Sequence, residues 1–424
     1  MFNRIKHLQN KELFVALYFL VFVLGLSLKI SSNFYNEARF LEVLLLLGFG
    51  FYSIFNKKIF LNKEEFLFLA VFISYLFFFK NSQFIIFDIL IFYLLYKSFF
   101  NLNYNVVVSK IIVLFSFLIF MTFPLSLVEY FNMGVYQSWY PMPWNIRVYN
   151  SYFLILLIFS TWFFMKSERY AWVYLLFIYL SLLSILLDGG RSALLAYSIL
   201  FIAVIFFNKE IRLKLIFTYV ASWFSFLSIV FSTGIASNGT NLARVTTSLR
   251  SDLWMHALKC WIGNPILGCG FYQLGKYENL AAHPHNLFIQ ILTETGLIGF
   301  SFLALIIFSI LKNTSWNIKK NYFVIAAFIS IGVELSFSGI HIYPITQVGL
   351  LWLFVFLLKN PEFQHARYFN QIPFQSSKLV QMVNFIIYFV ITYAFAYLFI
   401  NTSALSESLA VTPPRFWEYG YQLF

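Results

Sequence analysis

The chain has 424 residues, of which 61% are hydrophobic and only 11% are charged, and its formal net charge is +12. This composition excludes a soluble globule of that size, which needs more polar surface, and predicts a protein that uses lipid as its solvent. Lys and Arg concentrate in short connectors between apolar runs, a pattern typical of contact with anionic headgroups and not of nucleic-acid binding.

The apolar runs predict an all-α, polytopic membrane helix bundle with about 12 transmembrane helices. The first run is expected to stay as a helix, because no small-residue cleavage site follows it. Several runs are short for a bilayer core of about 30 Å, which leaves 12 or 13 spans open. The runs fall at 13–30, 40–55, 64–79, 84–100, 106–131, 149–165, 170–187, 192–207, 214–233, 286–311, 322–338, 344–358 and 379–400.

The distribution of basic residues predicts the orientation of the chain. If the N-terminus is cytoplasmic, most of the 29 Lys and Arg residues fall on the cytoplasmic side, as the positive-inside bias requires. The segments then expected on the opposite, extracytoplasmic face are 132–148, 188–191, 234–285 and 339–343. The predicted domains are transmembrane helices 1 to 9 over 1–233, an extracytoplasmic loop over 234–285, and C-terminal transmembrane helices over 286–424.

Arg191 follows Asp188-Gly189-Gly190 and opens a helix predicted over 192–207. Glycines let the backbone approach a ligand closely, and the amides of a helix start beside a fixed positive charge are typical of an anion site. The alternative is an Arg that ends a helix and reaches for the membrane interface.

The connector 234–285 contains an amphipathic pattern. Its apolar residues recur at i, i+1, i+4, i+5, i+8 and i+9, which predicts a helix lying on the membrane surface. Arg250 falls on the same apolar side, where a charge needs an anionic ligand, a buried carboxylate or lipid headgroups. The pattern consists of Leu253, Trp254, Ala257, Leu258, Trp261 and Ile262, and glycine-rich turns at 263–265 and 268–270 follow it.

Cys260 and Cys269 lie nine residues apart in this connector. That separation permits a disulfide on an oxidising face without requiring one, and free thiols are the default expectation. Neither cysteine has a set of metal ligands near it in sequence, so a zinc site is not expected.

His283-Pro284-His285-Asn286 precedes a long apolar helix. An imidazole at an extracytoplasmic helix start is partly desolvated yet reachable, which suits a general base near neutral pH. A structural histidine is the alternative.

Glu294 lies about 180° round that helix from His285, so it is not expected to be the direct partner of the imidazole. With Gly296 and Gly299, Glu294 is expected to cap or kink a half-helix.

The expected outside loops contain no Asp-x-Asp pair and no carboxylate cluster, so neither a metal nor another cofactor is expected, and Arg would neutralise the charge of a leaving phosphate. The sequence also has no Walker loop, dinucleotide fingerprint or serine elbow. It therefore gives no support to ATP-driven transport, hydride chemistry or serine hydrolysis.

Residues 283–299 read His-Pro-His-Asn-Leu-Phe-Ile-Gln-Ile-Leu-Thr-Glu-Thr-Gly-Leu-Ile-Gly and resemble the signature of the bacterial O-antigen ligase and polymerase superfamily. Gly190-Arg191-Ser-Ala-Leu-Leu195, Leu249-Arg250 and Asn264-Pro265-Ile-Leu-Gly268 are similar to the elements that precede this signature. The resemblance covers 185–300 in detail. It implies a bundle similar to glycosyltransferases of type C, with one large periplasmic loop, in the bacterial inner membrane.

The resemblance implies transfer of a glycan from undecaprenyl pyrophosphate to an acceptor sugar on the periplasmic face, without metal or nucleotide. By this resemblance, His285 would deprotonate the acceptor hydroxyl, and Arg191 and Arg250 would hold the departing pyrophosphate. The accessory candidates are His283, His341 and Glu294.

One departure from the family concerns residues 334–343. Many ligases carry further charged residues in this segment, whereas this chain offers Glu334 and His341.

Ligation to the lipid A core oligosaccharide is the leading expectation, and polymerisation of a growing lipid-linked glycan is an alternative that the sequence does not separate. A flippase or transporter would need ionisable residues inside the spans, where Asp88 and Glu334 stand out among few. A non-catalytic scaffold gives no reason for Arg250 to lie on an apolar side. Membrane lipids are expected partners, nucleic acid is not, and a monomer is expected.

Overall fold

The structure is a computed structural model that describes residues 10–28, 35–56, 63–79, 82–100, 102, 105–133, 146–167, 170–232, 250–271, 283–359 and 378–401. This part of the chain is helical and contains no β-strand, as the all-α prediction requires. Helices suit a lipid environment because they satisfy their backbone polar groups internally.

The helices, numbered in chain order, have the following bounds. They are α1 Asn10–Ser27, α2 Tyr35–Asn56, α3 Lys63–Leu76, α4 Ser82–Phe100, α5 Asn105–Phe115, a 3₁₀ segment Ser116–Thr122, α6 Phe123–Met133, α7 Ile146–Lys166, α8 Ala171–Leu187, α9 Arg191–Phe207, α10 Arg212–Ser232, α11 Arg250–Gly263, α12 Leu287–Asn313, α13 Ile318–Phe337, α14 Pro344–Lys359 and α15 Lys378–Asn401.

Within the described ranges, six helical stretches are long and apolar enough to cross a membrane. They are Asn10–Ser27, Val106–Glu129, Val148–Lys166, Arg212–Ser232, Leu287–Lys312 and Ile318–Phe337. Four shorter apolar helices accompany them: Leu67–Leu76, Ala171–Leu187, Arg191–Phe207 and Pro344–Lys359. These helices agree with a multi-pass membrane protein, while the count of 12 or 13 spans stays a prediction.

Several hydroxyl groups inside these helices bond to the backbone of their own helix. Ser98, Thr161 and Ser222 each donate to the backbone carbonyl oxygen four residues earlier, at 2.7 to 2.9 Å. Such bonds let a small polar side chain enter an apolar helix without a distant partner.

The chain forms two compact units, each assembled from three separate segments. Unit 1 comprises Met1–Phe34, Asn103–Thr247 and Trp316–Leu357. Its helix α7 is almost completely enclosed, because 94% of the residues in its apolar part are buried. The fully buried Trp352 of α14 donates its indole N–H to Ser109 Oγ at 2.8 Å and packs edge-on against Phe19. These contacts join α1, α5 and α14 within unit 1.

Unit 2 comprises Tyr35–Leu102, Ser248–Ser315 and Leu358–Phe424. Tyr75, near the end of α3, donates its hydroxyl to the carbonyl oxygen of Thr295 in α12 at 2.6 Å. The Tyr75 ring lies in an apolar cluster that includes Leu76, Ile85 and Phe271. Aromatic packing and one buried hydrogen bond thus attach α3 to α12.

A buried ionic cluster joins α2 to α4 in unit 2. Arg39 is fully buried and its Nη1 donates to Glu42 Oε2 at 2.6 Å and to Asp88 Oδ1 at 2.7 Å. One guanidinium therefore serves two carboxylates. Asp88, a residue that a transporter would use, here takes part in contacts between helices.

We predict that Arg39→Leu strongly destabilises the protein, whereas Asp88→Asn is tolerated better. Loss of the cation leaves the buried Glu42 carboxylate and the partly buried Asp88 carboxylate without it. Breaking a buried ion pair costs about 3–5 kcal/mol. Asp88→Asn instead leaves the Arg39 cation paired with the Glu42 carboxylate, so that the two charges balance. Thermal unfolding of both variants in detergent measures the difference, and an Arg39→Leu protein as stable as the parent would contradict the prediction.

Candidate active site

Arg250 is the first residue of α11, in unit 2. Its side chain is half-buried, and its Nε atom lies beneath the protein surface. Further along the helix, Leu253 is 3% exposed and Ala257 is fully buried. The Ala257 carbonyl oxygen accepts a hydrogen bond from Thr293 Oγ1 in α12 at 3.3 Å. One side of α11 is therefore packed against α12, and Arg250 begins the packed helix.

The predicted helix in this segment is confirmed, but its six apolar residues do not share one surface. Leu253 and Ala257 face the protein interior, whereas Leu258 is 37% exposed and Ile262 is 68% exposed. The pattern at i, i+1, i+4 and i+5 covers a wide arc of a helix, and α12 buries only the i, i+4 line of it. The expectation that these residues share one apolar face is therefore wrong, while a helix lying on the membrane surface stays a prediction.

The two histidines of the His-Pro-His segment contact each other. His283 Nε2 lies 3.2 Å from His285 Nδ1, within hydrogen-bond distance, and the rings meet edge to face with centroids 4.3 Å apart. His285 has a φ of 52° and is the one non-glycine residue with positive φ in the described part of the chain. Such backbone costs of order 1–3 kcal/mol and is concentrated at functional sites.

Asn286 begins α12 as its N-cap. Its backbone is extended, with φ −152° and ψ 114°, and its side chain accepts a hydrogen bond from the Ile289 N–H at 3.0 Å. The sequence predicted an apolar run from residue 286, and the helix begins at Leu287. The positive φ of His285 and the extended Asn286 do not continue a helix, so both histidines lie on the non-helical approach to it.

Trp254 connects α11 to this approach. Its indole Nε1 donates to the Pro284 carbonyl oxygen at 2.9 Å. From the sequence, Trp254 counted as one more apolar residue, although a partly buried indole N–H usually needs an acceptor. The sequence therefore indicates that Trp254 needs an acceptor, but it does not identify the Pro284 carbonyl, 30 residues away, as that acceptor.

The expected kink in α12 is confirmed. Gly296 has φ 60° and ψ −161° inside the helix, so the intrahelical bonds are interrupted there. The turn at 265–270 supplies hydrogen-bond partners on both sides of the break. Its N–H groups donate to carbonyl oxygens before Gly296, and its carbonyl oxygens accept from N–H groups after Gly296. The bonds are Cys269 N to Thr293 O at 2.7 Å, Gly270 N to Glu294 O at 3.0 Å, Leu297 N to Pro265 O at 2.9 Å and Ile298 N to Ile266 O at 3.3 Å.

A disulfide joins Cys260 to Cys269, with Cα atoms 6.2 Å apart. The default expectation of free thiols is therefore wrong. Cys260 lies near the end of α11, and Cys269 lies in the turn that pairs with α12. Their proximity follows from the packing of α11 on α12, which residue spacing alone does not reveal.

Glu294 lies on the interior side of this arrangement. It is 7% exposed, and its Oε1 lies 3.5 Å from the Gln290 side-chain Nε2 one turn earlier. Its carbonyl oxygen also accepts the Gly270 N–H. Glu294 therefore lies at the kink, as the sequence led us to expect.

Arg191 lies in unit 1 as the first residue of α9, which confirms the predicted helix. The two preceding glycines serve different purposes. Gly189 has a φ of 68°, which favours glycine, whereas a Cβ on Gly190 would lie 2.8 Å from the Asn150 side chain. Asp188 is 5% exposed beside them. The turn before Arg191 thus depends on one glycine for its conformation and on the other for space.

Glu334 and His341 also lie in unit 1. Glu334 is 1% exposed, and its Oε1 accepts a 2.6 Å hydrogen bond from Ser151 Oγ, which is 3.0 Å from Ser338 Oγ. The carbonyl oxygen of His341 accepts a 2.8 Å bond from Gln347 Nε2. Ser151 and Gln347 carried no sequence signal, because Ser and Gln are unremarkable within long apolar runs.

The structure therefore brings together the helix of Arg250, Trp254 and the two histidines within unit 2. Arg191, Glu334 and His341 belong to unit 1 and are described there by their own contacts. Among the described residues, no three His, Cys, Asp or Glu side chains are grouped so that they could hold a metal ion.

Residues 154–304 match the family model described as O-antigen ligase. The resemblance to the O-antigen ligase and polymerase superfamily is confirmed. The matched stretch contains Arg191, Arg250 and His285. This glycosyltransferase-like family supports an enzymatic role of the ligase or polymerase type. The comparison with curated proteins finds no match.

The glycine turn of this ligase-family segment gives a prediction with a matched control. Gly268 has a φ of 78°, and an added Cβ would lie 2.5 Å from the Gly296 N and 2.7 Å from the Glu294 carbonyl carbon. Gly268→Ala should cost about 1–2 kcal/mol in backbone conformation and about 1–3 kcal/mol through the overlap. We expect a lower unfolding temperature in detergent and loss of glycan transfer.

Gly263→Ala is the control, because an added Cβ there has no atom within 4 Å. It should leave both the unfolding temperature and transfer close to those of the parent. Equal effects of the two alanines would contradict the pairing of the turn with α12.

Proposed function

We propose that the protein is an O-antigen ligase of the bacterial inner membrane, which transfers a glycan from undecaprenyl pyrophosphate to a hydroxyl of the lipid A core oligosaccharide on the periplasmic face. The observation that carries this proposal is the 3.2 Å contact between His283 Nε2 and His285 Nδ1, immediately before the capped start of α12. The pair lies in the segment that matches the ligase family.

The contact gives each imidazole a role. If His285 carries its proton on Nδ1 and donates it to His283 Nε2, the lone pair of His285 lies on Nε2. A neutral imidazole with its tautomer fixed by a second group is the usual form of a general base. His283 is then the group that orients the base, and His285 Nε2 is the atom that meets the acceptor hydroxyl.

The reaction proceeds without a metal or nucleotide. His285 Nε2 takes the proton of the acceptor hydroxyl as its oxygen forms a bond to the anomeric carbon of the donor sugar. The bond from that carbon to the pyrophosphate oxygen breaks, and undecaprenyl pyrophosphate leaves with the electron pair. The proton remains on His285 until it passes to solvent or to the leaving group.

The charge that develops on the leaving pyrophosphate needs preorganised cations. Arg250 begins the helix that is bonded to the His-Pro-His segment, and its side chain is half-buried, with Nε beneath the protein surface. A cation in a low-dielectric position stabilises developing negative charge more strongly than one in water. The family resemblance assigns the same ligand to Arg191, whose helix start offers backbone amides as well.

The lipopolysaccharide of a deletion strain tests the proposed function. We expect core oligosaccharide without O-antigen, together with long polymer accumulated on the lipid carrier, because the last transfer fails. Core bearing a single repeat would instead indicate the polymerase, which shares the same chemistry. Core without O-antigen, with the lipid-linked glycan retained on the cytoplasmic face, would favour a flippase.

We predict that the histidine and arginine variants fail at different steps. His285→Ala should lower the rate of transfer roughly 10²–10⁴-fold, the usual effect of losing a general base, while the purified protein still retains carrier-linked glycan. Arg250→Lys and Arg191→Lys keep the charge but lose the planar fork, so they should weaken both turnover and donor retention. A reconstituted transfer assay and a donor-binding assay separate the two.

His256 and Lys259, which lie on α11, provide matched controls, and their alanine variants should transfer glycan at near the parental rate. If His283→Ala abolished transfer while His285→Ala did not, the base would be the other imidazole. If both histidine variants were silent at normal protein levels, the mechanism would be overturned.

A further inference from the structure

The indole of Trp254 holds the peptide group that precedes His285. The Pro284 carbonyl, which accepts the Trp254 N–H at 2.9 Å, lies in the same rigid plane as the His285 amide nitrogen. The φ of His285 is the rotation about the bond from that nitrogen to Cα. The orientation of the plane therefore governs where the His285 side chain is placed, and His285 adopts an uncommon φ of 52°.

We propose that Trp254 is a positioning residue for His285: its N–H fixes the Pro284 carbonyl and so holds the imidazole of His285 against His283. This inference rests on the proposed function, in which His285 is the base. It assigns to Trp254 a role in catalysis that the apolar pattern of α11 does not suggest.

Trp254 also couples the base to the cation. It follows Arg250 by four residues, so the two side chains lie on the same side of α11, about 6 Å apart along its axis. The hydrogen bond from Trp254 to Pro284 then sets the distance between the start of α11 and the His-Pro-His segment. One side chain thereby relates the position of His285 to that of Arg250.

The bond is not needed to hold α11 in place. The buried Leu253 and Ala257, the Thr293 bond and the disulfide at Cys260 already attach the helix along its length. Removing the indole N–H alone should therefore leave the fold intact and change the geometry of the base. This difference separates a positioning role from a structural one.

Trp254→Phe is the test, and Trp261→Phe is its matched control. Trp261 lies on the same helix and donates its indole N–H to the Pro265 carbonyl at 3.1 Å, away from the histidines. We expect Trp254→Phe to lower kcat about 10²-fold, the usual effect of a misplacement of about 1 Å, with KM for the lipid-linked donor within about twofold of the parent. Trp261→Phe should change neither constant.

A spectroscopic measurement reports the imidazole directly. The chain has six histidines, so ¹⁵N-histidine labelling gives a sparse spectrum in which a His285→Ala sample identifies the His285 signals. The parent should show one tautomer, with the proton on Nδ1. Trp254→Phe should show a shifted or averaged Nδ1 signal, and Trp261→Phe should show the parental one.

If Trp254→Phe reduces folding, benzothienylalanine at position 254 keeps the ring shape and replaces the N–H by sulfur. Normal kcat in either position-254 variant, equal losses in both tryptophan positions, or an unchanged His285 signal beside a lowered kcat would each overturn the positioning role. Failure of the proposed function is distinguishable, because His285→Ala would then itself transfer glycan at the parental rate.

Discussion

The break in α12 at Gly296 is the feature on which the arrangement of unit 2 depends. Lipid offers no hydrogen-bond partners, so every backbone group that a helix releases must find a partner within the protein. Here the turn at 265–270 provides them, and the disulfide attaches that turn to α11. Tyr75 of α3 donates to the carbonyl oxygen of Thr295 beside the same break. A local interruption in one helix therefore organises three other elements around it.

The sequence was informative wherever the physical cause is local. Hydrophobic runs predicted the helices, Gly296 predicted the kink, and Asp188-Gly189-Gly190 predicted the start of α9, because each depends on residues close together in the chain. The partners across space were not predictable in this way. The Trp254 acceptor lies 30 residues away, and the Ser151 hydroxyl meets Glu334 across two helices of unit 1. The disulfide required knowledge of how α11 packs.

The two kinds of buried polar contact in the protein have different consequences. Arg39, Glu42 and Asp88 place full charges between α2 and α4, where the contact is costly to disturb and specifies which helices pair. Ser151 donates a neutral hydroxyl to the Glu334 carboxylate, and Ser338 Oγ lies within hydrogen-bond distance of Ser151 Oγ. Arg39, Asp88 and Glu334 therefore take part in contacts between the described helices.

The bond between Cys260 and Cys269 implies an order of events in the biogenesis of the protein. Disulfides form and persist in oxidising compartments, and the cytosol keeps thiols reduced. Under the proposed topology, α11 and its turn can be joined only after residues 250–271 have crossed the membrane. A newly inserted chain would carry Arg250 and His285 before it carries their covalent support. Maturation of the enzyme would thus follow the cell's capacity to oxidise exported thiols, in addition to its capacity to insert helices.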